Sequence, residues 1–272
     1  MASGAEGQGA EGGSGFIIDH ILDHHELHLG PFHIPLPHIE LFGIDLSITQ
    51  HLVMMWVASL LLIVFVGLAV RRRRRRGVPG GLFGSCVEAL VLFIRDELAV
   101  PNIGKEEARK FLPFLLTVFF FILTCNLLGL VPFASTATSN ISVTAALALL
   151  SFFMIQLGGV LHNGLFGYFR GLIPHGLPVW LLPIMIPIEI VGLFTKPFAL
   201  CIRLFANMTA GHVVILSLLG LIFILKSYVV VPASVIFALA VYMLEIFVAM
   251  VQAYIFTLLS SVFIGMAVHQ EH

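Results

Sequence analysis

The sequence predicts an all-α membrane protein of five membrane segments plus a surface amphipathic helix. The last two segments are expected to form a long, strongly tilted antiparallel hairpin. Three observations carry that prediction. Of 272 residues, 59% are hydrophobic and only 11% charged, against about a quarter charged in ordinary soluble domains. Mean hydropathy is +1.04, and several apolar runs approach the roughly 20 residues that a helix needs to cross a bilayer. The charges are also clustered, since ten of the fourteen Lys and Arg residues fall between Arg71 and Lys110. Such a composition excludes a soluble globular domain, a disordered chain and a nucleic-acid binder. Net charge is −1, so only the placement of charges is informative. Cys86, Cys125 and Cys201 have neither the number nor the spacing of a disulfide framework or zinc site and read as packing residues.

Residues 1–51 read as a flexible tail and a His-rich outer segment. The tail lacks the positive n-region and apolar core of a signal peptide, and Pro31, Pro35 and Pro37 prevent one continuous helix after it. Residues 52–70 are the first transmembrane helix, an uncharged run stopped by six consecutive arginines, Arg71–Arg76. By the positive-inside rule the arginines are cytoplasmic and the N-terminus is outside. Residues 71–110 form the Arg-rich cytoplasmic loop. Within it, Leu82–Ala99 places apolar residues at helical spacing, interrupted by Glu88, Arg95, Asp96 and Glu97, as in an amphipathic helix on the membrane surface.

Residues 111–161 form a transmembrane hairpin, Phe111–Phe133 and Ile141–Leu161, with a short Ala/Ser/Thr/Asn linker outside. Residues 162–180 return as a Gly- and Pro-rich cytoplasmic loop carrying Arg170, with His162 and His175 facing solvent. Residues 181–272 are the final hairpin. Its apolar blocks, Leu181–Lys226 and Pro232–Val268, are separated by a turn around Ser227–Val231, which leaves the C-terminus cytoplasmic. The second block would run about 55 Å as a helix, against roughly 30 Å of hydrocarbon, so the excess is absorbed by tilt or kinks. Pro183, Pro187 and Pro197 are placed to break only the first block.

That hairpin carries Glu189, Lys196, Arg203, Asn207, His212, Glu245 and Gln252 inside apolar sequence. Ionisable residues within membrane spans are functional candidates by default. An arginine at the centre of a span costs roughly 2.5–3.5 kcal/mol even on lenient scales, and Arg203 has no obvious mate nearby in sequence. Glu189, Lys196 and Asn207 fall on the Arg203 side of the helix, whereas His212, nine positions on at about 100° each, points half a turn away. In an antiparallel hairpin the midpoint of His212 and Glu245 is 228.5 and that of Arg203 and Gln252 is 227.5. Both lie at the expected turn, so one register sets His212 beside Glu245 and Arg203 near Gln252. A structural ion pair with a snorkelling arginine would explain one isolated charge. A base, an acid, a titratable histidine and two amides in one hairpin point to ion passage.

Three stretches, CIRLFANMTAGH (Cys201–His212), MVQAYIFTLLSSVFI (Met250–Ile264) and NLLGLVPF (Asn126–Phe133), closely resemble subunit a of F-type ATP synthases. The similarity covers most of the chain after His51. It implies a proton-translocating stator subunit without a catalytic nucleotide site or cofactor. The expected partners are the c-subunit ring, the peripheral stalk subunit b, the rest of the complex and the lipid bilayer, with no nucleic acid. The expected setting is an energy-transducing membrane, the bacterial inner (plasma) membrane. The resemblance further implies two offset proton half-channels separated by Arg203, with Asn207 and Gln252 as polar neighbours. It puts His212 and Glu245 on the outer path, and Glu189 and Lys196 toward the cytoplasm. Many bacterial members carry the acid on the first helix of the pair and the histidine on the second, so the order here is reversed. Ala199 stands where a hydroxyl residue often occurs.

Two other classes make distinguishable demands. A secondary transporter calls for inverted repeats, and no earlier segment duplicates the final hairpin. An intramembrane zinc protease needs two residues between the Glu and the second His of HExxH, whereas His24-His25-Glu26-Leu27-His28 has one. His20, His24, His25 and His28 could still gather on a helix at spacings that permit metal binding. The plainer account of that stretch is a solvated outer segment that touches the complex.

Overall fold

The structure is a computed structural model, and it describes residues 26–29, 32–35, 40–41, 44–45, 49–76, 81–131, 136–171, 182–225 and 230–269. Two short antiparallel hairpins come first. Strand β1 (Glu26–Leu29) pairs with β2 (Phe32–Pro35), and β3 (Glu40–Leu41) pairs with β4 (Ile44–Asp45). Only Gly30 and Pro31, both turn-forming types, separate the first two strands. His28 therefore stands opposite His33 in a strand, which takes it off the helical spacing at which it would join His20, His24 and His25. His20, His24, His25 and the expected N-terminal tail lie outside the described residues.

The rest of the described chain is helical, and five helices are long and apolar enough to cross a membrane, by length and composition. Helix α1 is Gln50–Arg76. The arginines expected to begin a loop instead form its last turns, because arginine is a good helix former and cations are favourable at a helix C-terminus. Helix α2 (Gly81–Phe93) continues through a π-helical turn, Ile94–Ala99, into the short α3 (Val100–Ile103). Helix α4 is Lys105–Gly129, with Glu106 and Glu107 in its first turn, where acidic side chains favour the helix dipole. Helix α5 is Ile141–Gly171, α6 is Leu182–Leu225 and α7 is Val230–Val268.

Helix α6 runs unbroken as 44 residues despite Pro187 and Pro197 within it. At about 1.5 Å per residue α6 is about 66 Å long and α7 about 58 Å, so neither can stand upright in roughly 30 Å of hydrocarbon.

The chain divides into two compact units, one of residues 1–58, 125–140 and 204–251, the other of residues 59–124, 141–203 and 252–272. In the second unit, the segment expected to lie on the membrane surface has one face taken up by α7. Ile94, Leu98 and Ile103 are fully buried, and the Phe93 and Tyr254 rings stand 5.9 Å apart. Asn102 Nδ2 donates to Ser261 Oγ at 3.1 Å, and Ser261 Oγ donates to Leu98 O at 3.2 Å. On the exposed face Arg95 donates twice to Asp96, which holds the Asp96 carboxyl below the usual carboxylate range.

A Cβ on Gly265 would collide with the backbone carbonyl of Asn102. Gly265→Ala is expected to loosen this docking by about 1–3 kcal/mol, the usual effect of overpacking. Faster proteolysis near Asn102 in detergent-solubilised complex, with a lower melting temperature, checks it.

Residues 162–171, expected as a loop, are helical across a kink at Gly164, whose φ of 72° suits glycine. Tertiary contacts hold them there. Tyr168, 2% exposed, donates to Gln156 Oε1 at 2.7 Å. Asn163 Nδ2 donates to the carbonyls of Ala267 and Val268 at 3.0 and 3.3 Å, satisfying orphan acceptors at the end of α7. His162 does not simply face water, since its Nδ1 is 3.8 Å from Glu107 Oε1. Residues 172–180, with His175, lie outside the described residues.

Candidate functional site

The site in the first unit is set by an apolar register. Met208 on α6 and Ala249 on α7 are fully buried and cluster with Leu130, with Tyr242 and Ile246 packed against them. One helical turn beyond Met208 is His212, and one turn before Ala249 is Glu245. Of the two pairs that the hairpin midpoint set side by side, His212 and Glu245 are found together, with His212 Nδ1 3.0 Å from Glu245 Oε1. Gly211 permits the approach, because a Cβ there would run into Glu245 Oε1.

Around the His212 ring, Nδ1 also lies 3.0 Å from Met208 O. Nε2 lies 3.1 Å from Gly129 O and 3.0 Å from Thr136 Oγ1. Glu245 is 4% exposed, and among the described residues neither of its carboxyl oxygens has a hydrogen-bond partner. The imidazole alongside is thus its principal polar neighbour. A buried carboxyl group beside one basic neighbour avoids a bare charge either by holding its own proton or by accepting from the imidazole Nδ1–H as an ion pair.

In the second unit, Arg203 is partly buried in the middle of α6. Among the described residues it forms no ion pair or hydrogen bond. Lys196 Nζ stands 5.1 Å over the Phe263 ring, a cation–π contact that partly offsets the exposure of an ammonium to apolar surroundings. Glu189 is partly exposed, and Gln252 is buried at 2%. Asn207 is exposed on α6 and belongs to the first unit with His212 and Glu245. Among the described residues no group of three or more His, Cys, Asp or Glu is arranged to hold a metal ion.

A family model described as ATP synthase A chain matches residues 52–265, a span that contains every one of these side chains. The chain belongs to the ATP synthase subunit a family. It is 54% identical to ATP synthase subunit a of Chloroherpeton thalassium, over 94% of this chain and 77% of that one. The corresponding protein of Myxococcus xanthus is 55% identical, over 84% of this chain and 75% of its own. ATP synthase subunit a 2 of Prosthecochloris aestuarii is 53% identical, over all of this chain and 84% of its own. The protein is thus a multi-pass member of the membrane sector of an F-type ATP synthase.

For a subunit a chain, two of the polar contacts come from residues that the sequence did not single out. Thr136 sits in the linker read only as polar, and His51 sits at the edge of the His-rich segment. His51, 6% exposed, has Nδ1 3.1 Å from Thr136 O. The available signal was weak: a histidine one residue before an apolar run, and hydroxyl residues closely following a motif that itself reads as membrane-embedded.

Proposed function

We infer that this chain is the stator subunit through which protons reach and leave a c-subunit ring, along two offset half-channels that Arg203 keeps apart. The observation that carries the reading is Arg203 itself, a guanidinium within a long apolar helix and without an internal counter-ion among the described residues. Such a cation is tolerable in a membrane if an acid from outside the chain meets it. A ring carboxylate fits, since it can face lipid only in its protonated form. Guanidinium stays charged at any physiological pH, so Arg203 attracts the ionised carboxylate and neither accepts nor donates the proton.

In this mechanism a carboxylate arriving from the cytoplasmic side gives up its proton along the path of Glu189 and Lys196, then meets Arg203, for which the family resemblance makes Asn207 and Gln252 the polar neighbours. It moves on to be reprotonated through the outer path of His212 and Glu245. A histidine beside a carboxyl group suits reversible transfer of one proton. Net rotation follows the proton gradient. The arginines at the end of α1 support a cytoplasmic placement of that end and an outer N-terminus; the bacterial relatives support a plasma-membrane setting, and the family resemblance makes subunit b the stator partner.

The test is ATP-driven acidification of inverted membrane vesicles that carry the assembled complex, with and without sodium. Sodium-independent pumping is expected. Pumping that requires sodium overturns the proton assignment, and a purified chain that transports a solute by itself overturns the stator assignment.

A further inference from the structure

We propose that Thr136 is a positioning residue of the outer proton path, its hydroxyl reversing hydrogen-bond role each time His212 gains or loses its proton. The proposal rests on the reading above, that His212 handles protons. Besides the Glu245 carboxyl group at Nδ1, the ring has two kinds of neighbour. Met208 O and Gly129 O are carbonyls and can only accept, at 3.0 Å from Nδ1 and 3.1 Å from Nε2. Thr136 Oγ1, 3.0 Å from Nε2, can do either. In the neutral ring Nδ1–H faces Met208 O and Glu245, and the bare Nε2 lone pair accepts the Thr136 O–H. In the charged ring Nε2–H donates to Thr136 Oγ1 or Gly129 O. The charged ring meets acceptors at both nitrogens, and in the neutral ring the Thr136 O–H answers a lone pair that otherwise faces the Gly129 carbonyl, so the proton comes and goes at Nε2 while Nδ1 keeps its own and the imidazole stays in place.

The hydroxyl is fixed by a buried polar knot within one compact unit. Thr136 and Thr138 are 2% and 0% exposed, and Asn126 is 0% exposed. The Thr136 carbonyl accepts from Ser139 Oγ at 2.7 Å, from Ser139 N at 3.1 Å and from His51 Nδ1 at 3.1 Å. Thr138 Oγ1 donates to Asn126 Oδ1 at 2.7 Å, and Asn126 Nδ2 donates to Ala249 O at 3.3 Å. Gly129 leaves the space, since a Cβ there would overlap Thr136 Oγ1. Among the described residues the other titratable groups around this knot are Glu245 and Tyr242 from α7 and His51 from α1. The Tyr242 hydroxyl is committed to Leu130 O at 2.8 Å and His51 acts on the Thr136 carbonyl, which leaves Glu245 and Thr136 Oγ1, among the described residues, to answer to the ring's proton.

The experiment follows proton pumping against pH in vesicles carrying the complete complex with Thr136→Val, Thr136→Ser or His212→Ala. Valine keeps the shape and removes the hydroxyl, which leaves the neutral ring's Nε2 unanswered while the charged ring retains Gly129 O. The pH profile is expected to move toward alkaline pH by about half to one unit, the worth of one hydrogen bond. Serine restores the profile. A Thr136→Val complex that assembles and keeps the unaltered pH profile overturns the proposal, as does a shift that serine fails to reverse. Full pumping by His212→Ala overturns the underlying reading instead, so the two failures are distinguishable.

Discussion

Replacing Arg203 with alanine is expected to reduce coupled ATP synthesis by at least about 100-fold, equivalent to ~2.7 kcal/mol, while the complex still assembles. The physical reason for both halves is the same. Arg203 forms no internal ion pair or hydrogen bond among the described residues, so its removal deletes no bond on which the fold depends. It also relieves the roughly 2.5–3.5 kcal/mol that a charge in mid-membrane costs. What disappears is the attraction for an external carboxylate. Synthesis rates of reconstituted complexes, alongside gel analysis of assembly, check the result. Arg203→Lys separates charge from geometry, because an ammonium lacks the planar fork that meets a carboxylate through two parallel hydrogen bonds. A lysine complex recovering only a small part of the rate is expected. Undiminished coupled synthesis in Arg203→Ala overturns the role given to the guanidinium.

The second large effect is expected at His212 and Glu245. Either alanine replacement should lower proton flux by at least about tenfold, which is ~1.4 kcal/mol, because each leaves a proton-sharing group without its partner. Glu245→Ala also strips the 3.0 Å contact from an imidazole that remains between carbonyls. Exchanging the two, His212→Glu together with Glu245→His, restores an acid beside a base and should preserve more flux than either single change. Gly211→Ala tests proximity while both groups are retained. The new Cβ displaces the Glu245 carboxyl group, and flux should fall although both side chains remain. Equal losses in the two single variants and the exchange argue against a functional pair.

The pair was legible in advance because antiparallel helices about a short turn obey simple arithmetic. His212 with Glu245 and Met208 with Ala249 share the midpoint 228.5, and Lys196 with Phe263 has 229.5. Once the turn is located, the register has little freedom, and the polar residues inherit it from the apolar ones. Segment number and order were likewise readable, since apolar length is a one-dimensional property. Element ends were not. Arg71–Arg76 continue α1, and 162–171 continue α5, because helix propensity and tertiary hydrogen bonds outweighed charge and glycine content there. Of the four histidines that a helix could have gathered, His28 alone is described, and it lies in a strand, where the neighbouring Gly30 and Pro31 favour a hairpin.

The sequence by itself determined that the chain spans a membrane, that its last two helices form a hairpin, and which ionisable side chains that hairpin carries. Those outcomes depend on runs and spacings along one chain direction. Only the tertiary structure decided what surrounds the histidine. Thr136 lies 76 residues from His212, and His51 lies 85 residues from Thr136. Separations of that size are closed by packing between helices, for which a short polar linker carries no local periodic signal. The buried knot that holds the hydroxyl exists because carbonyls and amides withdrawn from water must find partners within the fold.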